Sequence, residues 1–377
     1  MQAMRWAVIS AAIGLALASN VAWAARPAAV VPSDPATVLE RLPPGYARQR
    51  VAPDVVPPVS YAGNLLDMAA RTGDARLASR AEGILARYPA ASGDRALRMA
   101  RAFSAQHRHE FDQALVHLDA LVKNDPRDSA ARASRAQILL VQGKLDRAGA
   151  DCGALALLDS ARGLLCIASI AMARGDHAVA VTLLDRWFER PPADPALQRH
   201  AAVMRAEAAA RAGDRSAADL WFKKALAMAS DDVRTLAPYA RYLRASGRPR
   251  EAVSLLANAP DTDGLHLQRT LAAGEAGLPQ AAALVAAQAR RYALSEQAGV
   301  EPELREQAEF LLVHGRDPAR ALKIALHNFE DQRDVEDIEI LRRAAVAANR
   351  PEVLAPLEHW AKAQRVTLAP LTAQEVR

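Results

Sequence analysis

Residues 168–192 read ASIAMARGDHAVAVTLLDRWFERPP. A run of small and apolar residues ends at Gly175, because glycine readily adopts the left-handed conformation that terminates a helix. A second run begins after Asp176 and stops at Pro192, since proline cannot continue a helix. Ala180 falls on the inner face of this second run, where two helix backbones approach closely. The stretch therefore predicts two helices joined by a short turn.

The same turn recurs at a regular interval. Glycine followed by alanine five residues later occurs at Gly73/Ala78, Gly143/Ala148, Gly175/Ala180, Gly213/Ala218, Gly247/Ala252 and Gly277/Ala282. His109 and Ala114 fill the one gap, and successive turn residues are then 36, 34, 32, 38, 34 and 30 positions apart. The residues seven positions before the turns are mostly small: Leu66, Ala102, Ala136, Ala168, Ala206, Ala240 and Thr270. Helix pairs of this length cannot bury their apolar faces alone, so they must stack into one continuous core.

The composition fits a helical chain and gives no sign of a nucleic-acid binder. Apolar residues make up 51% of the 377 residues and aromatic residues only 5%, which suits helices that meet through small side chains. Lysine and arginine number 48 against 43 acidic residues, and the basic residues are scattered rather than clustered with aromatics. We therefore expect no nucleic-acid partner.

The repeating unit resembles the tetratricopeptide repeat family, through Ala168, Gly175, Ala180 and Pro192, and again through Ala206, Gly213, Ala218, Phe222 and Ala225. The resemblance covers residues 60–360, and implies an all-α, right-handed superhelical solenoid of eight or nine antiparallel helix pairs over residues 60–365. It departs from the family at Leu164 and Leu236, which stand where tryptophan is commonest. It weakens after Gly277, where residues 314–321 contain one residue too many. Residues 38–43 (VLERLP) and 327–333 (HNFEDQR) also look like marks of uncharacterised exported bacterial repeat proteins, and that likeness implies no activity.

The two ends of the sequence differ from the repeats. Residues 1–24 combine a positive start, a short apolar stretch over 7–18 and the small residues Ala22 and Ala24, which predicts a signal peptide cleaved after Ala24. No later segment is apolar enough to span a membrane, so we expect no transmembrane segment after cleavage. Residues 25–59 are crowded with proline and predict an extended arm or linker, with disorder as the alternative. Residues 366–377 form a predicted tail.

Cys152 and Cys166 are the two cysteines of the chain. They lie on successive predicted helices at equal distances from the turn near Asp159, so they face each other across an antiparallel pair. Export makes oxidation favourable, and this geometry predicts a disulfide. The alternative is two small buried thiols.

The sequence contains no recognisable catalytic or cofactor-binding pattern. Nucleophile elbows, phosphate loops and dinucleotide fingerprints are absent from it, because its glycines occur singly at helix ends. His107, His109 and His117 are spaced poorly for a zinc site. We therefore predict no enzyme activity, no cofactor and no metal.

In the tetratricopeptide family the first helix of each pair lines a concave groove, and the resemblance therefore implies groove positions at His200, Glu207, Arg211, Arg234, Arg241 and Arg244. Arg234, Arg241 and Arg244 share one helical stripe, because they are spaced 7 and 3 residues apart. Three uncompensated arginines would bind the carboxylates of an acidic peptide or chain terminus. The alternative is an ordinary solvated arginine face.

These patterns favour a non-catalytic protein–protein interaction scaffold, periplasmic or secreted, with a protein or peptide partner. One alternative is an accessory subunit for the assembly or secretion of an envelope component such as a polysaccharide. Another is an enzyme whose site lies in the irregular region 277–320.

Overall fold

The computed structural model of the protein describes residues 58–89, 92–297 and 303–368. The predicted signal peptide and its cleavage point lie outside the described residues, as do all but the last two residues of the predicted arm. The same holds for the predicted tail beyond residue 368.

The described residues form eighteen α-helices, a π-helical turn at Leu311–Gly315 and a 3-10 turn at Pro351–Leu354. The helices are α1 Pro58–Thr72, α2 Ala75–Leu85, α3 Arg95–His107, α4 Phe111–Asn124, α5 Ser129–Val141, α6 Leu145–Leu158, α7 Ser160–Arg174, α8 His177–Glu189, α9 Pro195–Arg211, α10 Arg215–Met228, α11 Val233–Ala245, α12 Pro249–Leu255, α13 Asp263–Glu275, α14 Ala281–Gln297, α15 Leu304–Phe310, α16 Pro318–Asp331, α17 Val335–Ala347 and α18 Ala355–Gln364. From α1 to α16, each odd-numbered helix packs against the even-numbered helix that follows it. The last two helices, α17 and α18, both pack against the 3-10 turn between them and share one apolar cluster. The prediction of an all-α, tetratricopeptide-like stack of helix pairs is confirmed, and the described part of the chain contains nine pairs.

The two helices of each pair are joined by a turn that contains one residue with a left-handed backbone conformation. These residues are Gly73, His109, Gly143, Gly175, Gly213, Gly247, Gly277, Arg316 and Asn349. The first seven are the turn residues that the sequence predicts, and His109 takes the glycine role with φ 58°. The turns at Arg316 and Asn349 complete the two pairs whose boundaries the sequence left uncertain.

Small residues sit where neighbouring helices meet. All seven residues predicted seven positions before a turn are buried. Most of the alanines predicted five positions after a turn are also buried, and Ala78 is half-buried. Ala282 is exposed, so its predicted inner position is wrong. The reason is the rotation of α14, which buries Gln288 against His266 of α13 and turns Ala282 outwards.

The eighth pair accommodates its extra residue in the π-helical turn at Leu311–Gly315. A π-helical turn carries one more residue than an α-helical turn, so the insertion is absorbed before the turn residue. That turn residue is then Arg316 rather than Gly315, with φ 48°.

The disulfide prediction is confirmed. Cys152 on α6 and Cys166 on α7 are bonded, with their Cα atoms 5.3 Å apart. Gly163 permits the close packing of these two helices, because a Cβ there would lie 2.5 Å from the Cα of Ala156.

The stack curves until its late pairs touch the turns of its early pairs. Trp360 Nε1 donates a hydrogen bond of 3.0 Å to the carbonyl of Gly143, and the backbone N of Arg333 donates one of 2.7 Å to the carbonyl of Val141. The backbone N of Thr367 donates to the carbonyl of Arg174 at 3.0 Å. We call this set of contacts the inter-turn contact. It brings helices that are distant in sequence to face one another.

None of the described helices is long and apolar enough to cross a membrane.

Candidate functional site

A cavity of about 930 Å³ lies between the first helices of the last five pairs. Side chains from α9, α11, α13, α15 and α17 line it, together with the turns at Gly213 and Gly247. Both of these turns are exposed, whereas Gly143 lies under Trp360 of the inter-turn contact. The cavity therefore has its mouth where the turns are uncovered.

The wall of the cavity is charged. Its described lining includes six arginines and six glutamates: Arg211, Arg215, Arg241, Arg244, Arg305, Arg343, Glu207, Glu275, Glu306, Glu309, Glu336 and Glu339. Fully ionised, this set is electrically balanced, so the pairing within it decides which charges are available to a ligand.

Two of the arginines are held by carboxylates of the wall itself. Arg211 on α9 contacts Glu336 at 2.8 Å and Glu339 at 2.9 Å, both on α17. Arg244 on α11 contacts Glu275 at 2.7 Å and Glu309 at 3.2 Å. The Arg211 pairs connect α9 to α17, and the Arg244 pairs connect α11 to α13 and α15. The two arginine side chains are 24% and 9% exposed, so these pairs hold the arginines within the wall.

Arg241 and Arg343 differ from these two. Among the residues that the structure describes, neither guanidinium has a carboxylate oxygen within 4.0 Å or a hydrogen bond. Arg241 nevertheless lies in the field of Glu207, Glu306, Glu309 and Glu336. The cavity thus presents two half-buried guanidinium groups whose donors are unused within the described residues. Arg215, which also lines the cavity and has no such partner there, is exposed.

The carboxyl groups of the wall have pKa values shifted in opposite directions, by burial upwards and by neighbouring arginines downwards. The pKa of Glu207 rises to about 7, because burial and the charge of Glu336 outweigh Arg241 and Arg211. Burial likewise raises the pKa of Glu306 to about 7, against the pull of Arg305. Burial also disfavours the charge of Glu336, but Arg241, Arg211 and Arg305 outweigh it and hold that pKa at about 2. Near neutral pH the wall therefore holds two partly protonated carboxyls among fully charged arginines.

The structure brings together four of the six predicted groove residues: Glu207, Arg211, Arg241 and Arg244 all line the cavity. Arg234 and His200 are not part of its lining. Arg234 instead contacts Asp232, the N-cap of α11, at 3.2 Å, and His200 is exposed beside it. The expectation of three uncompensated arginines is therefore wrong for Arg234 and Arg244, because each has an internal carboxylate partner.

The sequence interpretation missed the opposite wall, made by α15 and α17. A signal for α17 exists: Glu336 and Arg343 precede Asn349 by 13 and 6 residues, as Arg234 and Arg241 precede Gly247. Asparagine tolerates the left-handed conformation of a turn residue. Recognising Asn349 as such would have placed Arg343 in the cavity.

The irregular region 277–320 borders the cavity but has its own buried polar cluster. His266 Nδ1 lies 2.6 Å from Gln288 Oε1, and the Thr270 hydroxyl donates to the carbonyl of His266 at 2.8 Å. The ring of His314 packs on Gly274. In the part of the chain that the structure describes, no group of three or more His, Cys, Asp or Glu side chains is placed to hold a metal ion.

No protein-family model and no curated protein matches the sequence. Among solved structures, the chain is similar to the TPR domain of P58(IPK), at 17% identity over 72% of this chain and 84% of that chain, with a TM-score of 0.27. It is also similar to a chain of the APC/C hetero-tetramer Cut9–Hcn1, at 12% identity over 73% of this chain and 60% of that chain, with a TM-score of 0.33. The fold assignment rests on the helix pairs themselves.

Proposed function

We propose that this protein is a non-catalytic interaction scaffold that works outside the cytoplasm and holds an acidic segment of a partner protein in its cavity. The observation that carries the proposal is the pair of half-buried guanidinium groups, Arg241 and Arg343, on the cavity wall, which have no partner among the residues that the structure describes. Arginine binds carboxylates through paired hydrogen bonds, so an acidic side chain or chain terminus satisfies donors that the protein leaves unused.

The size of the cavity agrees with a bound segment. At about 930 Å³ it lies near the upper end of the volumes of about 300–1,000 Å³ that are typical of ligand sites. Its mouth at Gly213 and Gly247 is open, so a chain can enter without displacing the inter-turn contact.

The export part of the proposal draws support from the Cys152–Cys166 disulfide. Disulfides persist in oxidising compartments and are rare in the cytosol of mesophiles. The predicted signal peptide at residues 1–24 is consistent with this location.

Binding of a rhodamine-labelled hexa-aspartate peptide, followed by fluorescence anisotropy at low salt, tests the proposal. We expect the parent protein to bind and the affinity to fall as salt is added, because ions screen the guanidinium charges. The double variant R241A/R343A should bind at least about tenfold more weakly, a loss of about 1.4 kcal/mol.

Arg250→Ala is the matched control, since Arg250 is exposed and is not among the cavity's lining residues. Its affinity should stay within about twofold of the parent, a small change for an exposed substitution. A parent that does not bind, or a double variant that binds as the parent does, would refute the proposal.

A further inference from the structure

We propose that the cavity takes up a proton with its carboxylate ligand, with Glu207 as the main acceptor, so that binding tightens as the medium becomes more acidic. The inference rests on the proposed function, because it concerns the same cavity and the same kind of ligand. It adds a condition under which the ligand is held or released.

The position of Glu207 is the first argument. Glu207 lies on α9, about three helical turns from the exposed start of that helix at Pro195, and it lines the cavity. Within the described residues it has no basic group within 4.0 Å, although it lines a cavity with six arginines. Glu207 is half-buried. A carboxylate that is partly removed from water and lacks a close cation is costly, and protonation relieves that cost.

Most of the nearby arginines do not form an ion pair with Glu207, because they contact other carboxylates. Arg211 on its own helix contacts Glu336 and Glu339, and Arg244 contacts Glu275 and Glu309. Arg305 contacts Glu306 at 3.5 Å and Asp337 at 3.6 Å. Arg241 has no such partner within the described residues, so its positive charge acts both on Glu207 and on a bound ligand.

The facing helices add further charges of both signs. From α15, Glu306 and Glu309 face Arg241, and Arg305 faces Glu207. From α17 and its N-cap, Glu336 and Asp334 lie in the field of Glu207, and Arg343 faces Glu309. Glu275 comes from α13 and is occupied by Arg244. Glu207, Glu306 and Asp334 each have a pKa of about 7, chiefly because of burial.

A bound carboxylate shifts this balance towards protonation. A carboxylate bound at Arg241 adds a negative charge beside Glu207. It also occupies the donors of Arg241, whose positive charge favours the ionised form of Glu207. Both effects raise the pKa of Glu207 above its value in the empty cavity. Binding therefore draws protons from solution, and by linkage the affinity rises as pH falls through about 7.

The test measures the affinity of the rhodamine-labelled hexa-aspartate peptide at pH 6, 7 and 8 and constant ionic strength. Aspartate side chains have a pKa of about 3.9, so the peptide keeps its charge throughout this range. We expect the parent to bind about tenfold more tightly at pH 6 than at pH 8. This corresponds to an average uptake of roughly half a proton on binding, since the logarithm of the affinity then changes by about half a unit per pH unit.

Glu207→Gln replaces the carboxyl with a neutral group of similar shape. It should bind at pH 8 almost as tightly as the parent does at pH 6, with most of the pH dependence gone. Glu306→Gln is the second variant and should remove a smaller part of it. Glu358→Gln, at an exposed position on α18, should behave as the parent.

The outcomes separate the two proposals. Parent binding that is equal at pH 6 and pH 8 overturns the proton-coupled site and leaves the scaffold standing. So does a folded E207Q variant, checked by circular dichroism, that keeps the full pH dependence, whatever the result for E306Q. The absence of peptide binding at every pH overturns the scaffold and the proton coupling together.

Discussion

Asp151 on α6 is a buried carboxylate between two arginines of α5. Its side chain is 2% exposed and accepts hydrogen bonds of 2.7 Å from Arg132 and from Arg135. The two guanidinium groups are themselves largely buried, at 16% and 19% exposure. The pair of helices therefore depends on a charge cluster that the alternation of small and apolar residues in the sequence does not indicate.

Replacing Asp151 with alanine should lower the free energy of unfolding by about 3–5 kcal/mol, because it leaves two buried cations without their shared partner. Urea denaturation followed by circular dichroism measures the loss. Asp67→Ala is the control, since Asp67 is 63% exposed and contacts Arg71 four residues on. Exposed pairs of this kind contribute about 0–1 kcal/mol. Equal losses for the two variants would contradict the prediction.

At the scale of single helices, α6 and α7 show how closely two backbones approach in this fold. The disulfide between Cys152 and Cys166 closes a short loop, which in the chain-entropy model contributes about 3 kcal/mol. Gly163 lies within that loop, three residues before Cys166. A side chain there meets backbone atoms of Ala156 and Leu155 rather than a flexible side chain.

Gly163→Ala should therefore destabilise the protein by about 1–3 kcal/mol, the usual cost of overpacking a well-packed core. Gly153→Ala on α6 is a matched substitution in a place where a Cβ meets nothing within 4 Å. It should stabilise the protein by about 0.5–1 kcal/mol, because alanine favours a helix interior more than glycine does. Thermal and urea unfolding of both variants show whether each substitution lowers or raises the free energy of unfolding. A neutral Gly163→Ala would show that α6 and α7 separate easily.

The repeat was predictable from sequence because each turn needs one residue that tolerates a left-handed backbone. Six glycines and His109 marked seven turns, and all seven have positive φ. Arg316 carries no comparable signal, and Asn349 carries a weaker one than glycine, since asparagine tolerates a left-handed backbone less readily. The eighth turn was displaced by the π-helical insertion, and the ninth was overlooked.

The cavity was predictable on one wall only. Glu207, Arg211, Arg241 and Arg244 follow from the register of their own helices, whereas their partners Glu309, Glu336 and Glu339 come from helices far along the chain. Which late helix faces which early one depends on small rotations that accumulate from pair to pair. No local pattern encodes that sum, so the ion pairs that occupy Arg211 and Arg244 were not foreseen.

At the scale of the whole molecule, the inter-turn contact places α17 opposite α9 and so completes the cavity. Trp360 is its apolar centre: the ring lies against Gly143, where a Cβ would come within 2.8 Å of it, and its Nε1 donates to the Gly143 carbonyl. Around it, the amides of Leu145, Arg333 and Thr367 donate across the contact, to Gln364 Oε1 and to the carbonyls of Val141 and Arg174.

Trp360→Ala should loosen this contact and open the stack. Loss of the ring removes a large half-buried apolar surface and leaves the Gly143 carbonyl without its donor, so the late pairs swing away from the early turns. Small-angle scattering should show a larger radius of gyration, and hydrogen exchange should show faster exchange at the amides of Leu145, Arg333 and Thr367. Affinity for the acidic peptide should fall as well, because Arg343 moves away from Arg241.

Trp221→Ala separates opening from simple destabilisation. Trp221 lies on α10 and packs against Phe188 within the stack, away from the inter-turn contact. Loss of the Trp221 ring should lower the free energy of unfolding. The amides of Leu145, Arg333 and Thr367 should stay protected and the radius of gyration should stay unchanged, because Trp221 takes no part in the inter-turn contact. If Trp360→Ala also leaves the amides protected, the ring does not hold the turns together. Closure would then rest on the backbone hydrogen bonds and on the Arg211 pairs with Glu336 and Glu339.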